Sequence, residues 1–210
     1  MQFVVLADDS LKEELLSKGK NGDAEIIWLS SIEQFSECKN ADVYCDLLFD
    51  GSANRTETLK NISRTVIVNS VDKTLQKLQA PFIRINGWPG FLKGTIIEAS
   101  CNDESKIKPA EFFFSAFNKK PGWLPDEPGF VAARVVAMII NEAYLALGEG
   151  VSTKKEIDVA MKLGTNYPYG PFEWCDKIGV KEIYSLLAEL SKINSRYKPA
   201  NFLEREAISQ

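Results

Sequence analysis

The chain has 210 residues, a length that suits one large domain or two small ones. Its formal net charge is −4 and it has no basic cluster wider than a pair of lysines, which argues against nucleic-acid binding. No basic region with a long apolar segment opens the chain and no apolar run is long enough to cross a bilayer, so we predict a cytoplasmic protein that does not engage membranes. The cysteines are too widely spaced for a C-x-x-C metal or redox site, so we predict no metal site; they are Cys38, Cys45, Cys101 and Cys175.

Short apolar segments alternate with helical patterns through the first half of the chain. This alternation predicts a parallel sheet with crossover helices, and therefore an α/β domain. A polar loop is expected at 102–108 and a linker at 119–127, so we expect one domain over 1–120 and a second over 121–210. The predicted strands are 3–7, 25–29, 42–49, 64–69 and 81–85, and the predicted helices are 10–18, 31–38, 55–62, 72–78 and 110–118.

The second domain is predicted to open with a long apolar helix. Pro128 suits the first turn of a helix, and Asp126 just before it can cap that turn, so we expect the helix to begin near Pro128. From 130 to 147 the helix is apolar around most of its circumference and must be covered on several sides. It forms either the centre of a helical domain or half of a dimer interface. Its strongly polar exceptions are Arg134, Asn141 and Glu142.

A further helix start lies at Thr153, where Glu156 gives the spacing of a capping box, and Gly164 predicts the end of that helix. The segment from 126 to 176 also carries a series of motifs at fixed spacing. They are PGF at 128–130, Arg134, NEA at 141–143, GVS at 150–152, IDVAMKLG at 157–164, GPFE at 170–173 and Asp176. This series is far more specific than one short motif, and it resembles the start of the C-terminal helical domain of the 3-hydroxyacyl-CoA dehydrogenases.

The resemblance implies a Rossmann domain that binds NAD, followed by a helical domain that dimerises and closes one side of a cleft for acyl-CoA substrates. The first domain of this chain is shorter than the family's. We therefore predict a reduced Rossmann-like parallel-sheet domain followed by an all-helical domain, a homodimer through the helical domain, and an acyl-CoA as a possible ligand.

The turn after the first predicted strand departs from the family pattern. The family has G-x-G-x-x-G there, whose glycines let the backbone approach a pyrophosphate at a helix N-terminus. Here residues 7–12 read ADDSLK, without a glycine. Asp8 and Asp9 would repel a pyrophosphate or, more simply, cap the following helix. We therefore predict no cofactor-binding residues and no NAD binding in the family's manner.

The family's catalytic dyad pairs a histidine with a glutamate twelve positions later. Glu98 matches the glutamate, and Asn86 stands where the histidine would be. An amide can hydrogen-bond a carbonyl but cannot accept a proton near neutral pH, and the chain contains no histidine. Resemblance thus assigns Asn86 and Glu98 as the dyad positions, with the base missing.

Three more positions follow from the resemblance. Ser70, in the turn Val68-Asn69-Ser70, matches a substrate-binding serine. Two asparagines that contact substrate in the family are replaced, one by Pro89 and the other by Ala133.

Two functions stay open at this point. The favoured hypothesis is a dehydrogenase homologue without family-type NAD binding or His–Glu catalysis, which acts as an acyl-CoA-related binding protein or a dimeric scaffold. The alternative is an active NAD-dependent 3-hydroxyacyl-CoA (3-hydroxybutyryl-CoA) dehydrogenase of fatty-acid metabolism, with Glu98 as base and NAD bound in another pose.

Overall fold

The computed structural model describes residues 1–38 and 40–209, except for the side chain of Ser36. The chain divides into two compact units after Phe130. The boundary expected at residue 120 lies earlier because the prediction did not include the last strand of the sheet, Lys120–Trp123. Within the described residues, no helix is long and apolar enough to cross a membrane.

The first unit is built on a seven-stranded sheet with the order β2-β1-β3-β4-β5-β6-β7. The five predicted strands are confirmed and run parallel to one another. The strands are β1 (Gln2–Leu6), β2 (Glu25–Leu29), β3 (Val43–Asp46), β4 (Thr65–Asn69), β5 (Ile83–Ile85), β6 (Ile96–Cys101) and β7 (Lys120–Trp123).

Two strands correct the sequence-based prediction. Strand β6 pairs antiparallel to β5, because the connection over 86–95 is too short to hold a crossover helix. Strand β7 lies within the predicted linker 119–127 and pairs parallel to β6. A strand of four residues containing Pro121 and Gly122 has too weak a local pattern to be predicted.

The helices of the first unit are α1 (Asp9–Leu16), α2 (Ala53–Lys60), α3 (Leu75–Leu78) and α4 (Ile107–Ser115). The first three begin after a residue whose side chain accepts an amide hydrogen, namely Asp8, Ser52 and Thr74. Predicted helix 31–38 is a 3₁₀ helix, Ile32–Glu37. The predicted loop 102–108 also contains a 3₁₀ turn, Glu104–Lys106, and the first residues of α4.

Apolar side chains cover both faces of the sheet. One cluster contains Val43 and Cys45 together with Phe113 and Phe114 of α4. The other contains Tyr44, Leu59 of α2 and Leu75 of α3. Because Tyr44 alternates with its strand neighbours, the two clusters lie on opposite faces, which is the arrangement of a sheet buried on both sides.

The second unit is helical, as predicted. Its helices are α5 (Ala132–Gly148), α6 (Lys154–Thr165), α7 (Pro171–Ile178), α8 (Val180–Ser191) and α9 (Asn201–Ser209), with a 3₁₀ turn at Ser195–Tyr197. The predicted capping box is present, since Thr153 caps α6 and the carboxylate of Glu156 accepts from the Thr153 amide at 3.2 Å.

Both predicted helix boundaries in this region were wrong. Helix α5 begins at Ala132 rather than near Pro128, because Gly129 (φ +80°) and Phe130 (φ +48°) adopt left-handed backbone angles that a helix cannot contain. Gly164 lies inside α6, which ends one residue later, and Asn166 (φ +56°) follows in the left-handed conformation.

Asp126 caps a helix other than the predicted one. Its carboxylate accepts hydrogen bonds from the amides of Leu75 and Gln76, which open α3, at 3.1 and 3.2 Å. The prediction that Asp126 caps a helix was correct, but the prediction that it caps the helix following it in the chain was wrong. The helix that Asp126 caps, α3, lies about 50 residues earlier.

Candidate functional site

The two dyad positions lie side by side in the first unit. The Asn86 side-chain Nδ2 donates to Glu98 Oε2 at 2.9 Å, and the Asn86 main-chain amide donates to the Glu98 carbonyl at 3.0 Å. The antiparallel pairing of β5 with β6 sets this register, because Ile85 pairs with Ala99. Asn86 is 2% exposed and Glu98 is partly exposed.

Both polar atoms of the Asn86 side chain form hydrogen bonds within the protein. While Nδ2 donates to Glu98, Oδ1 accepts from the amide of Trp88 at 3.4 Å. This arrangement orients Glu98 by a hydrogen bond, as a histidine would, but neither end of the amide can take up a proton near neutral pH.

Ser70 directly follows β4, which pairs with β5, the strand that precedes Asn86. Its amide donates to the Ile85 carbonyl at 3.2 Å, which places it next to the end of β5. The buried hydroxyl donates to the Lys73 carbonyl at 2.8 Å, within its own turn. The structure therefore brings Ser70 close in the sheet to Asn86, with its hydroxyl hydrogen already donated.

Asn69 is a structural residue of this site that the sequence analysis did not single out. Its Nδ2 donates to the carbonyls of Leu47 and Gly87 at 3.2 and 3.3 Å, and its Oδ1 accepts from the Gly87 amide at 2.9 Å. It thus joins the ends of three parallel strands. A Cβ on Gly87 would lie 2.9 Å from Asn69 Cγ, so glycine is required there. An amide at the end of an apolar strand was the available signal.

The turn from β1 to α1 is closed by its own side chains. Asp8 Oδ1 accepts from the Leu11 amide at 2.8 Å, so the capping interpretation is confirmed for Asp8. Asp9 is the first residue of α1. One first-turn amide is therefore already used by a carboxylate, and no glycine gives the backbone room for a pyrophosphate. The residues of this turn do not fit the family's cofactor cradle.

The end of β2 also differs from a dinucleotide site. Such sites have an acid there that hydrogen-bonds the ribose 2′-hydroxyl. Here Ser30 and Ser31 follow Leu29, and their amides donate to Oε1 of Gln34 at 3.0 and 3.1 Å. The strand end is occupied by the cap of the next 3₁₀ helix, a point that the sequence analysis missed.

Two buried charged residues hold the loop that joins Asn86 to β6. Both carboxylate oxygens of Glu14, on α1, accept from the Gly90 amide at 2.8 Å. Lys119 Nζ donates to the Gly94 carbonyl at 3.1 Å and to Ser17 Oγ at 3.3 Å. Burial lowers the pKa of Lys119, and the charge of Lys18 adds to this effect. No local pattern in the sequence indicated these long-range contacts.

A buried ion pair lies at the end of β3. Asp46, fully buried, accepts from Nε and Nη2 of Arg55 at 2.7 Å each. Burial raises the pKa of Asp46, and the hydrogen bonds from Arg55 partly oppose that rise. The two hydrogen bonds join the positive charge of Arg55 to the negative charge of Asp46 within the same unit.

The remaining positions named by resemblance do not add chemistry. Pro89 lies in the loop after Asn86, and Ala133 is buried in α5 of the second unit. Among the residues that the structure describes, no group of three or more Cys, Asp or Glu side chains could hold a metal ion.

A sequence model described as "3-hydroxyacyl-CoA dehydrogenase, C-terminal domain" matches residues 129–208. The 3-hydroxyadipyl-CoA dehydrogenase of Escherichia coli K12 is 33% identical over 160 residues, which cover 73% of this chain and 34% of that protein. The probable 3-hydroxybutyryl-CoA dehydrogenase of Bacillus subtilis is 28% identical over 219 residues, which cover 93% of this chain and 76% of that protein. The chain thus spans about a third of the first relative's length.

Solved structures give the same picture for the fold. The crystal structure of (S)-3-hydroxybutyryl-CoA dehydrogenase from Ralstonia eutropha has a TM-score of 0.74 at 18% identity, covering 99% of this chain and 93% of that chain. A 3-hydroxybutyryl-CoA dehydrogenase from Escherichia coli has a TM-score of 0.63 at 31% identity, covering 71% of this chain and 33% of that chain. By its motifs and its matched range, the segment 129–208 is a C-terminal domain of the 3-hydroxyacyl-CoA dehydrogenase family, and the chain is similar to members of that family over most of its length.

Proposed function

We propose that this chain is a family member that does not transfer hydride by the family's route, and that it acts as an acyl-CoA-related binding protein or a dimeric scaffold. The observation that carries the proposal is the hydrogen bond from Asn86 to Glu98, at 2.9 Å, in a chain without histidine. The pair keeps the orientation of a dyad but lacks its proton acceptor.

The size of the expected defect supports this proposal. Loss of a positioned general base costs about 10²- to 10⁴-fold in rate. The first turn of α1 adds a second, independent defect, because Asp8 takes the amide of Leu11 and no glycine opens the turn. Two separate losses in one site make residual family-type turnover very slow.

The deciding assay is NADH formation from 3-hydroxybutyryl-CoA and NAD, followed by absorbance. We expect no turnover above background from the wild type, from Glu98→Gln or from Asn86→His. Asn86→His should remain inactive because the turn between β1 and α1 is unchanged. Glu104→Gln, an exposed acid in a 3₁₀ turn of the same unit, is the matched control.

The alternative function is an active NAD-dependent 3-hydroxyacyl-CoA dehydrogenase that uses Glu98 as base. The partial exposure of Glu98 favours it, since a base must reach its substrate, and the relatives bear dehydrogenase names. Wild-type turnover that disappears in Glu98→Gln but persists in Glu104→Gln would establish this alternative and refute the proposal above.

Ligand binding separates the two roles further. We expect calorimetric titration to detect a short acyl-CoA ester and to give no saturable heat with NADH. Saturable NADH binding at low micromolar concentration would contradict the proposed absence of the cofactor. Absence of binding by both ligands would leave the scaffold role alone.

The scaffold role requires a second copy of the chain. Apolar side chains of the helical unit are exposed, including Val135 on α5 and Val159 and Leu163 on α6. Val159 and Leu163 are four residues apart and therefore share one face of their helix, and exposed apolar patches mark interfaces. We expect light scattering to give twice the 23.5 kDa chain mass, and Val135→Asp or Leu163→Asp to lower it, with exposed Thr165→Asp as control. A wild-type monomer at micromolar concentration would refute the dimer.

A further inference from the structure

The last residues of the first unit form a segment with several attachments to its body. Residues 126–130, here called the connector, join β7 to the second unit. Asp126 accepts from the amides of Leu75 and Gln76 at 3.1 and 3.2 Å. The Gly129 amide donates to the carbonyl of Val71 at 2.7 Å. The connector is therefore tied to the turn that precedes α3 and to the first residues of that helix.

A buried arginine adds attachments from the sheet. Arg84, on β5, is 0% exposed. Its Nη1 donates to Asp126 Oδ1 at 3.0 Å and its Nη2 to the Glu127 carbonyl at 2.7 Å. The guanidinium carbon lies 4.2 Å from the centroid of the Phe130 ring. One side chain thus contacts the connector at its first, second and last residues.

The charge of Arg84 is maintained despite its burial. Burial lowers the pKa of Arg84 to about 10, and the negative charges of Asp126, Asp72 and Glu127 oppose this. The guanidinium therefore stays protonated at neutral pH. A planar fork can bind a carboxylate and a carbonyl while stacking on a ring, which the point charge of a lysine cannot do equally well.

The backbone of the connector is strained where these contacts end. Phe130 has φ +48°, an unusual value for a bulky side chain, and Gly129 has φ +80°. Such conformations persist only where surrounding contacts over-determine them. The stacking of Arg84 on Phe130 and the hydrogen bond from Gly129 supply those contacts.

We propose that Arg84 is a latch that holds the connector to β5 and α3, so that residues 126–130 move as part of the first unit and do not act as a hinge. Hinges are segments that absorb changes in φ and ψ, and a segment attached by Arg84, Asp126 and Gly129 has little freedom to do so. This role is independent of catalysis and of ligand.

The test is amide hydrogen exchange, followed by NMR, on the full chain. In Arg84→Met the amides of Leu75, Gln76 and Gly129 should exchange at least about tenfold faster. The arginine would no longer fix Asp126, which accepts from Leu75 and Gln76, or the connector that carries the Gly129 amide. The Cys45 amide in central strand β3 should be unaffected. Arg84→Lys should give an intermediate effect, and Arg64→Met, at an exposed arginine, should give none.

Two outcomes would overturn the latch. Unchanged exchange at Gly129 in Arg84→Met would show that the connector is held without the arginine. Equal acceleration at Gly129 and Cys45 would show that Arg84 supports only global stability. If Arg84→Met does not fold, Asp126→Asn removes the carboxylate partner while keeping the side-chain shape. That variant should accelerate the same three amides, and protection equal to that of wild type would also refute the proposal.

Discussion

The sheet unit and the helical unit of this protein differ in how many of their apolar side chains are exposed to solvent. In the sheet unit both faces carry a buried apolar cluster, and the polar groups of the candidate site hydrogen-bond one another, as Asn86 does with Glu98. In the helical unit α6 has a single buried residue, Asp158. Its apolar residues Val159 and Leu163 are exposed, Leu163 by 83%.

The two units also differ in how they resemble the family, one by its fold and the other by its sequence. The sheet unit shares the fold of the solved dehydrogenase structure from Ralstonia eutropha, and its turn from β1 to α1 is closed by the hydrogen bond from the Leu11 amide to Asp8. The helical unit carries the sequence match, at 129–208, and retains exposed apolar surface. The sequence model therefore covers the unit with exposed apolar side chains and does not include Asn86 or Glu98.

The largest expected effect tests whether the core of the sheet unit is complete. Phe113 is fully buried on α4, with edge contacts to Phe3, Phe114 and Phe117 at ring distances of 5.2–5.4 Å. Phe113→Ala should lower the free energy of unfolding by about 3–5 kcal/mol in denaturant titrations. Phe112→Ala, on the exposed side of the same helix, should cost less than about 0.5 kcal/mol. Equal losses would mean that this core is not closely packed.

A smaller effect tests how α6 is held in the helical unit. Asp158 Oδ1 accepts from the Phe172 amide at 2.8 Å, and a Cβ on Gly170 would lie 2.3 Å from that oxygen. Gly170→Ala should therefore displace α6 from α7 and cost about 1–3 kcal/mol of unfolding free energy. Stability equal to that of wild type would show that the two helices can separate without loss.

Gly164 gives the matched substitution of opposite sign. It lies within α6, and a Cβ there would meet nothing within 4 Å. Gly164→Ala should raise the unfolding free energy by about 0.5–1 kcal/mol, because alanine loses less backbone entropy in a helix. A loss of stability would instead indicate that α6 ends before Gly164, as the sequence first suggested.

The smallest effect concerns pH and the start of α6. Hydrogen bonds from Thr153 and Ser152 hold the pKa of Glu156 below its ordinary value of 4.5. The charged form therefore stabilises the fold above pH 4.5, and that contribution is lost as pH falls through the lowered pKa. Thermal unfolding should find Glu156→Gln less stable than wild type near neutral pH, with the two converging in acid. A difference that does not change with pH would refute this.

Local patterns in the sequence predicted much of this fold. The five parallel strands follow from apolar runs between polar segments, and Asp8, Thr153 and Glu156 cap helices as their spacing indicated. Family spacing assigned Asn86 and Glu98 as the dyad positions, and in the structure Asn86 Nδ2 donates to Glu98 Oε2. These features depend on residues close in sequence or on motifs long enough to be specific.

Contacts between distant residues were decided by the tertiary structure alone. The antiparallel entry of β6 and the addition of β7 depend on which sheet edge is available, and no pattern within a short strand encodes that. Asp126 caps α3 because the fold brings the two together, although its neighbours in sequence suggested another helix. The burial of Arg84 and Glu14 has the same origin: a charged residue is stable inside only if its partners arrive from elsewhere in the chain.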